Sequence, residues 1–178
     1  MSSKNGVIGA IITVVIGGAA YTINQTDLVN NFAADSGLSQ EQAQDYIDNM
    51  SDEDFASFTE IGSDFLDDGE IINGIVADMD CANDEYEWES PMLTCEEGKS
   101  QLEKIANDSI ALGDAYIKLD DESASEADIK NTISLISVVN DDYDLEIVSY
   151  FLDFDVIDET KKSGSYNKAL LEAALDSE

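Results

Sequence analysis

Apolar and polar residues alternate along most of the chain with the three- and four-residue spacing of amphipathic helices. The clearest stripe predicts one long helix between about residues 95 and 119, and it consists of Leu102, Ile105, Leu112, Tyr116 and Leu119. Shorter stripes of the same kind recur on both sides of it. The pattern predicts about six helices with short connections, and therefore an all-α fold built as a helical bundle.

Short polar sequences mark the expected ends of these helices. Ser39-Gln40-Glu41-Gln42 has the spacing of a capping box, which predicts a helix from there to about residue 49. Ser51-Asp52-Glu53-Asp54 predicts the start of the next helix, and Asp67-Asp68-Gly69 predicts its end. A further short helix is expected immediately after Gly69, around residues 71–76.

Two later segments need separate predictions. Residues 145–156 fit a helix, although Glu146–Leu152 is rich enough in β-forming residues to favour a strand instead. Ser125 predicts the cap of the helix before this segment. Ser165 predicts the start of the last helix, which ends the chain.

The N-terminal segment has a different pattern, because no charged residue occurs between Lys4 and Asp27. Its apolar positions reach about 17 residues, the short end of a membrane span. The residues that would anchor the chain in a membrane are Val7, Ile8, Ile11, Ile12, Val14, Val15 and Ile16. The sequence therefore predicts a transmembrane-type helix within residues 1–26, followed by an acidic helical domain in residues 27–178.

Three interpretations of this segment compete. An uncleaved signal anchor would keep Lys4 inside and the acidic domain outside. A cleaved signal peptide would use the small residues around Ala19 or Ala20 as its cleavage site, and the domain would be secreted. A buried or filament-forming helix would use the glycines of the segment for close packing. We favour the anchor, in contact with the lipid bilayer.

Charge changes the picture further. The chain has 40 acidic residues, eight lysines, no histidine and a net charge of −32. The acids are spread along the chain, which favours adaptation to salt-rich surroundings, in the manner of halophilic proteins, over a local cation-collecting surface. Nucleic-acid binding is not expected, because phosphate neutralisation requires lysine and arginine.

The missing residue types also restrict chemistry. Without histidine the chain has no imidazole general base, no Ser-His-Asp triad and no usual zinc site. Without arginine it has no bidentate phosphate clamp, and no phosphate-binding glycine loop occurs. We expect a protein that is not an enzyme and needs no cofactor, with calcium or another cation as the exception considered next.

The segment around residues 78–95 contains the remaining candidate chemistry. Asp78, Asp80, Asp84 and Glu89 match the spacing of some calcium ligands in an EF-hand, but Asn83 replaces the required glycine. A calcium site of another kind competes there with a solvated acidic loop.

Three other side chains of this segment stand out. Cys81 and Cys95 are expected to form a disulfide that staples the loop, the alternative being two separate buried thiols. Trp88, beside Tyr86, is either an exposed contact residue for a partner or a residue packed over the bundle edge.

These observations favour a structural or accessory subunit of a cell-envelope, filament or virion assembly. It would be anchored in the membrane, with its acidic domain outside and other protein subunits as partners. The alternative is a secreted helical module that binds calcium through carboxylates.

Overall fold

The computed structural model describes residues 11–49, 57–82 and 93–177. This part of the chain forms one hairpin followed by seven helices, so the predicted helical bundle is confirmed and the predicted N-terminal helix is not. The elements are β1 Ile11–Ile16, β2 Ala19–Asn24, α1 Gln25–Ser36, α2 Gln40–Asn49, α3 Phe58–Asp78, α4 Cys95–Leu119, α5 Glu126–Asp142, α6 Val148–Phe151 and α7 Phe154–Leu175.

The N-terminal apolar segment forms a β-hairpin where a membrane helix was predicted. Gly17 and Gly18 have φ angles of 59° and 75°, which suit the two-residue type I′ turn that joins antiparallel strands. The strand is rich in isoleucine and valine, whose branched side chains fit a pleated sheet. The helix prediction was wrong because a short apolar run does not by itself separate strand from helix. Val7 and Ile8 lie outside the described residues.

The hairpin belongs to the same core as the helices. Ile16 and Ile23 are buried in it, and the backbone N–H of Gly17 donates to the carbonyl oxygen of Leu119 over 2.8 Å. β2 packs against α1 and α7. No helix in the described ranges has both the length and the apolar composition needed to cross a bilayer.

The main core lies between the hairpin and helices α1, α2, α3, α4, α5 and α7. Its centre is aromatic: the ring of Phe32 lies 5.1 Å from that of Tyr46 and 5.9 Å from that of Tyr166. Tyr116 stacks between Phe58 and Phe65 in the same cluster. Burial raises the pKa of the Tyr166 hydroxyl to about 12.

Helices α3 and α4 form an antiparallel pair with very close backbones. A Cβ on Gly113 would lie 2.7 Å from the carbonyl oxygen of Gly62, and one on Gly69 would lie 2.9 Å from that of Ala106. Gly69 was predicted to end a helix, but α3 continues through it because glycine here permits close packing. The capping box of α3 is formed by Ser57 and Glu60; the predicted cap at residues 51–54 lies outside the described residues.

A second, smaller core occupies the far end of this helix pair. It consists of Val76, Met79, Leu102, Ile147, Val148 and Ile157. The predicted disulfide between Cys81 and Cys95 is confirmed and closes this end, with the two Cα atoms 5.6 Å apart.

For the last part of the chain, one choice between alternatives is decided and one prediction needs correction. Residues Val148–Phe151 form the short helix α6, so the alternative strand is not formed. Helix α7 begins at Phe154 with Asp153 at its N-cap position, well before Ser165, which is buried inside the helix. The start of this helix was predicted too late because Lys161, Lys162 and Gly164 are residue types typical of a loop. In the structure these residues lie within α7.

Candidate interaction surface

An apolar groove of about 250 Å³ opens beside the second core. Helix α3 forms one wall, α4 the floor, and the α5–α6 region the other wall. The apolar lining consists of Ile71, Ile72, Ile75, Leu102, Ile105, Tyr143, Val148, Phe151 and Leu152. Asp68 and Ser109 are the polar residues of the lining. We call this feature the α3–α6 groove.

Several side chains of the α3–α6 groove face water. Ile71 is 62% exposed and Phe151 is 57% exposed, while Ile75 is also classed among the exposed apolar residues. Exposed apolar residues scattered singly are normal on protein surfaces, but a contiguous set around a concave site is typical of a binding surface. The surrounding surface is dominated by carboxylates, which makes this set distinctive.

The exposed apolar surface extends from the groove into the start of α7. Phe154 is 82% exposed, and Val156 is exposed beside it on the same helix. These two residues do not line the groove, although they follow Leu152 closely in the chain. Phe154 instead lines a separate depression together with Asp144 and Lys161.

Buried neighbours hold the outer wall of the groove in place. Ile147 is fully buried, and its backbone N–H donates to Oε1 of Gln101 on α4 over 3.2 Å. Lys161 on α7 donates to Asp144 over 2.7 Å, close to the same connection. The exposed side chain of Phe151 therefore stands on a wall that is fixed to α4 and α7.

A polar cluster with one buried member, Asp142, lies beside the groove residue Tyr143. The Nζ atom of Lys104 contacts Asp108 Oδ2 at 2.7 Å and also contacts Asp142 Oδ1. Asp142 is only 3% exposed, and its Oδ2 atom has no hydrogen-bond partner among the described residues. Burial raises the pKa of the Asp142 carboxyl, and the nearby Asp108 carboxylate adds to that rise against the opposing effect of Lys104.

Negative charge is concentrated at the α3 side of the groove. Partial burial raises the pKa of Asp68, and the neighbouring carboxylates of Asp64 and Asp67 raise it further. Burial also raises the pKa of the Tyr143 hydroxyl, with Asp68 as a second cause. A cation placed at this rim would relieve the repulsion among the three aspartates.

The lysines of the described part of the chain do not supply that cation, because each has an intramolecular partner. Lys99 donates to the carbonyl oxygen of Met79 over 3.0 Å, and Lys118 donates to Ser123 Oγ over 3.1 Å. The others pair with carboxylates: Lys104, Lys130, Lys161, Lys162 and Lys168. The groove therefore presents apolar side chains and, on its α3 side, the carboxylate of Asp68 with Asp64 and Asp67 close to it.

The predicted calcium ligands are placed only in part. Asp78 and Asp80 are exposed near the end of α3, and Asp80 accepts a hydrogen bond from the backbone N–H of Ala82 over 3.2 Å. Asp84 and Glu89 lie outside the described residues. Within the described ranges, no group of three or more metal-ligating side chains is positioned to hold an ion, and the calcium site stays a prediction.

The predicted contact residues Tyr86 and Trp88 also lie outside the described residues, so that prediction stays open. Sequence interpretation missed Ile71 and Phe151, which the fold brings to one groove. The sequence contains one signal for this surface: Ile71 and Ile72 are adjacent, so one face of a helix cannot bury both, and one of them is expected to be exposed.

Comparison of the chain with known protein families, with curated proteins and with solved structures finds no match to any of them.

Proposed function

We propose that this protein is a non-catalytic accessory subunit of an assembly outside the cytoplasm, in salt-rich surroundings, and that it holds a partner in the α3–α6 groove. The exposed apolar lining of the groove, in an otherwise acidic surface, is the observation that carries the proposal. The disulfide supports a location outside the cytoplasm, where such bonds persist. Contact with a lipid bilayer stays a prediction from the sequence.

The chemistry of the groove specifies the partner. Its apolar floor requires a matching apolar face, and its aspartate rim requires lysine or arginine beside that face. An amphipathic helix with a basic border combines both, since helices commonly dock by their apolar faces into such grooves. We therefore propose a basic amphipathic helix of another subunit as the occupant.

A designed peptide tests this proposal without knowledge of the native subunit. The probe is an amphipathic helix of leucine and lysine, and the control peptide replaces every lysine with glutamate. In low salt we expect the basic peptide to bind and the acidic one not to bind, measured by titration calorimetry, and the titration of the basic peptide is repeated in molar salt. Binding should persist in high salt, because the apolar contact is not screened.

Matched variants of the protein separate groove binding from general attraction to the acidic surface. Phe151→Asp places a charge in the groove, whereas Phe154→Asp places the same charge on a more exposed phenylalanine outside it. We expect the first variant to weaken peptide binding at least about tenfold, equivalent to about 1.4 kcal/mol, and the second to leave it unchanged. Equal binding to both variants would show that the groove is not the site.

The location is tested on the native protein. We expect its intact mass, measured without reductant, to be two hydrogens below the reduced mass because of the Cys81–Cys95 bond. A chain recovered in the cytoplasmic fraction with both thiols reduced would contradict the proposed location.

A further inference from the structure

Within the part of the chain that the structure describes, the hairpin has one strand edge without a partner strand. In the antiparallel pairing, Thr13 lies opposite Thr22 and Val14 lies opposite Tyr21. Since a two-residue turn joins the strands, Ile16 and Ala19 form the first hydrogen-bonded pair, and such pairs alternate along the hairpin. Thr13 and Val15 therefore point their backbone N–H and C=O groups away from β2.

No other element of the described structure covers this outer edge. The backbone groups of Thr13 and Val15 make no hydrogen bond outside the hairpin to any described residue. A groove of about 460 Å³ runs beside them, and Ser57 and Phe58 also line it. With respect to the described residues, the edge thus presents unpaired donors and acceptors beside a groove, which is a template for another strand.

The usual devices that protect such an edge are missing from β1. Its sequence contains no lysine, no proline and no inward-pointing charge, and its outward side chains are uncharged, with Ile11 69% exposed. Residues 11–24 carry no charge at all, in a chain whose net charge is −32. Two copies of the chain would repel each other over most of their surfaces. The hairpin is where they can approach with the least repulsion.

We propose that β1 pairs edge to edge with β1 of a second copy, antiparallel and with two-fold symmetry about Thr13. In this register Thr13 faces Thr13 of the partner copy, and Ile11 faces Val15 of the partner copy in both directions. The outward-pointing backbone groups of the two strands then satisfy one another, and the two hairpins become one four-stranded sheet. A two-fold contact of this kind closes on itself, so the product is a dimer.

Side chains support the same register. Ile11, Thr13 and Val15 share the exposed face of β1, so the register places isoleucine opposite valine and threonine opposite threonine. Apolar β-branched pairs and threonine pairs are favourable cross-strand neighbours. This inference is independent of the α3–α6 groove, which lies on other elements.

The decisive variants change the edge without changing the hairpin. Thr13→Lys puts like charges opposite each other at the two-fold axis. Thr13→Pro removes the outward N–H, and proline is tolerated at an edge position whose N–H is not used within the sheet. The matched control is Thr22→Lys, which adds the same charge to the same exposed face but on β2.

Sedimentation equilibrium measures the outcome in low and in molar salt. We expect the wild type and Thr22→Lys to dimerise, more strongly in high salt because the −32 charge is then screened. Both Thr13 variants should raise the dimer dissociation constant at least about tenfold. Phe151→Asp should leave the dimer unchanged, so failure of the groove proposal is seen separately. A monomeric wild type in molar salt, or a dimer that survives Thr13→Pro, would overturn the inference.

Amide hydrogen exchange identifies the strand that pairs. The amides of Thr13 and Val15 should exchange more slowly as protein concentration rises, while that of Val14, already bonded within the hairpin, should not change. A dimer whose formation leaves the Thr13 amide unprotected would use another surface and would also overturn the inference. If Thr13→Pro does not fold, the Thr13→Lys variant and this exchange pattern decide the question.

Discussion

The two cores of this protein differ in how completely they bury their apolar residues. The main core surrounds Phe32 and Tyr116 with helices on several sides and with the hairpin. The second core has only a few buried residues and keeps Ile71 and Phe151 exposed beside it. The difference is that the apolar residues of the main core are covered by the fold, whereas several of those around the second core stay exposed, as the proposed binding of a partner requires.

The second core also differs in what holds it together. A small apolar cluster stabilises a structure weakly, and small cores commonly depend on covalent or ionic supports. Here the Cys81–Cys95 disulfide closes the end of the α3–α4 pair, and Lys104 ties α4 to the end of α5. The main core contains no disulfide among the described residues. The comparison therefore predicts different responses to the same kinds of change.

The largest expected effect comes from truncating matched phenylalanines in the two regions. Phe32→Ala opens a cavity in the aromatic centre of the main core, and we expect it to lower the free energy of unfolding by about 3–5 kcal/mol. Phe151→Ala removes an exposed ring, and we expect a change within about 0.5 kcal/mol. Urea denaturation at one fixed salt concentration measures both.

Either outcome for the Phe32→Ala and Phe151→Ala variants is informative. Similar losses for the two variants would mean that the α3–α6 groove is part of the stabilising core, and the distinction between the regions would fail. A folded, stable Phe151→Ala variant that no longer binds the basic peptide would assign the ring to recognition.

A smaller effect is expected from removing the disulfide. Opening a loop of about 15 residues costs on the order of 3 kcal/mol in the chain-entropy model. We expect the double variant Cys81→Ser with Cys95→Ser to lose about that much stability. The loss should show first as faster amide exchange in the second core, at Leu102 and Val148, and not at Phe32.

Reduction of the wild-type protein is the control, because it breaks the same bond without changing a side chain. If exchange accelerates equally in both cores, the protein opens as one cooperative unit, and the second core has no separate stability.

The sequence predicted the parts of this fold that local chemistry determines. The α4 stripe ending at Leu119 formed as predicted, with Thr94 and Glu97 as its capping box, and Cys81 paired with Cys95. The hairpin was missed because a choice between strand and helix over six apolar residues depends on what they pack against. Gly69 was misinterpreted for a similar reason, since its role is a close contact with Ala106 on another helix.

The candidate site was harder to predict than the fold. A helical pattern identifies which residues are apolar, but not which of them the other elements leave uncovered. Ile71 looks like a core residue in the sequence, and only the positions of α4 and α6 show that it faces water. The sequence did not indicate that Phe151 is exposed either, because the segment that contains it fitted both a helix and a strand.

The smallest expected effect concerns the polar cluster beside the groove. The folded protein raises the pKa of Asp142, chiefly by burial. A carboxyl group whose pKa is raised by folding contributes stability that is present below its unfolded pKa and is lost as pH rises through the folded value. Asp142 in its charged form therefore weakens the second core at neutral pH, despite its contact with Lys104.

Replacing this charge should flatten the pH dependence of stability. Asp142→Asn keeps an oxygen for Lys104 but does not titrate, so we expect it to lose part of the stability that the wild type gains as the pH falls from neutrality through the raised pKa of Asp142. The helix-capping carboxylates Glu60 and Glu97 have pKa values lowered by their caps, so their protonation at lower pH acts in the opposite direction. The difference in unfolding free energy between the variant and the wild type should be below about 1 kcal/mol. The reason is that Lys104 is half exposed, so water and salt screen its interaction with Asp142.

The matched control for this change is Asp144→Asn, which removes the same charge from an exposed partner of Lys161. Both variants relieve the general repulsion of the acidic surface, so their difference isolates the effect of burial. Thermal unfolding in molar salt, where the general repulsion is screened, makes that difference clearest. If both variants have the same pH profile, burial of Asp142 does not weaken the second core. If only Asp142→Asn flattens the profile, the low stability of this region has an electrostatic cause in addition to its small apolar core.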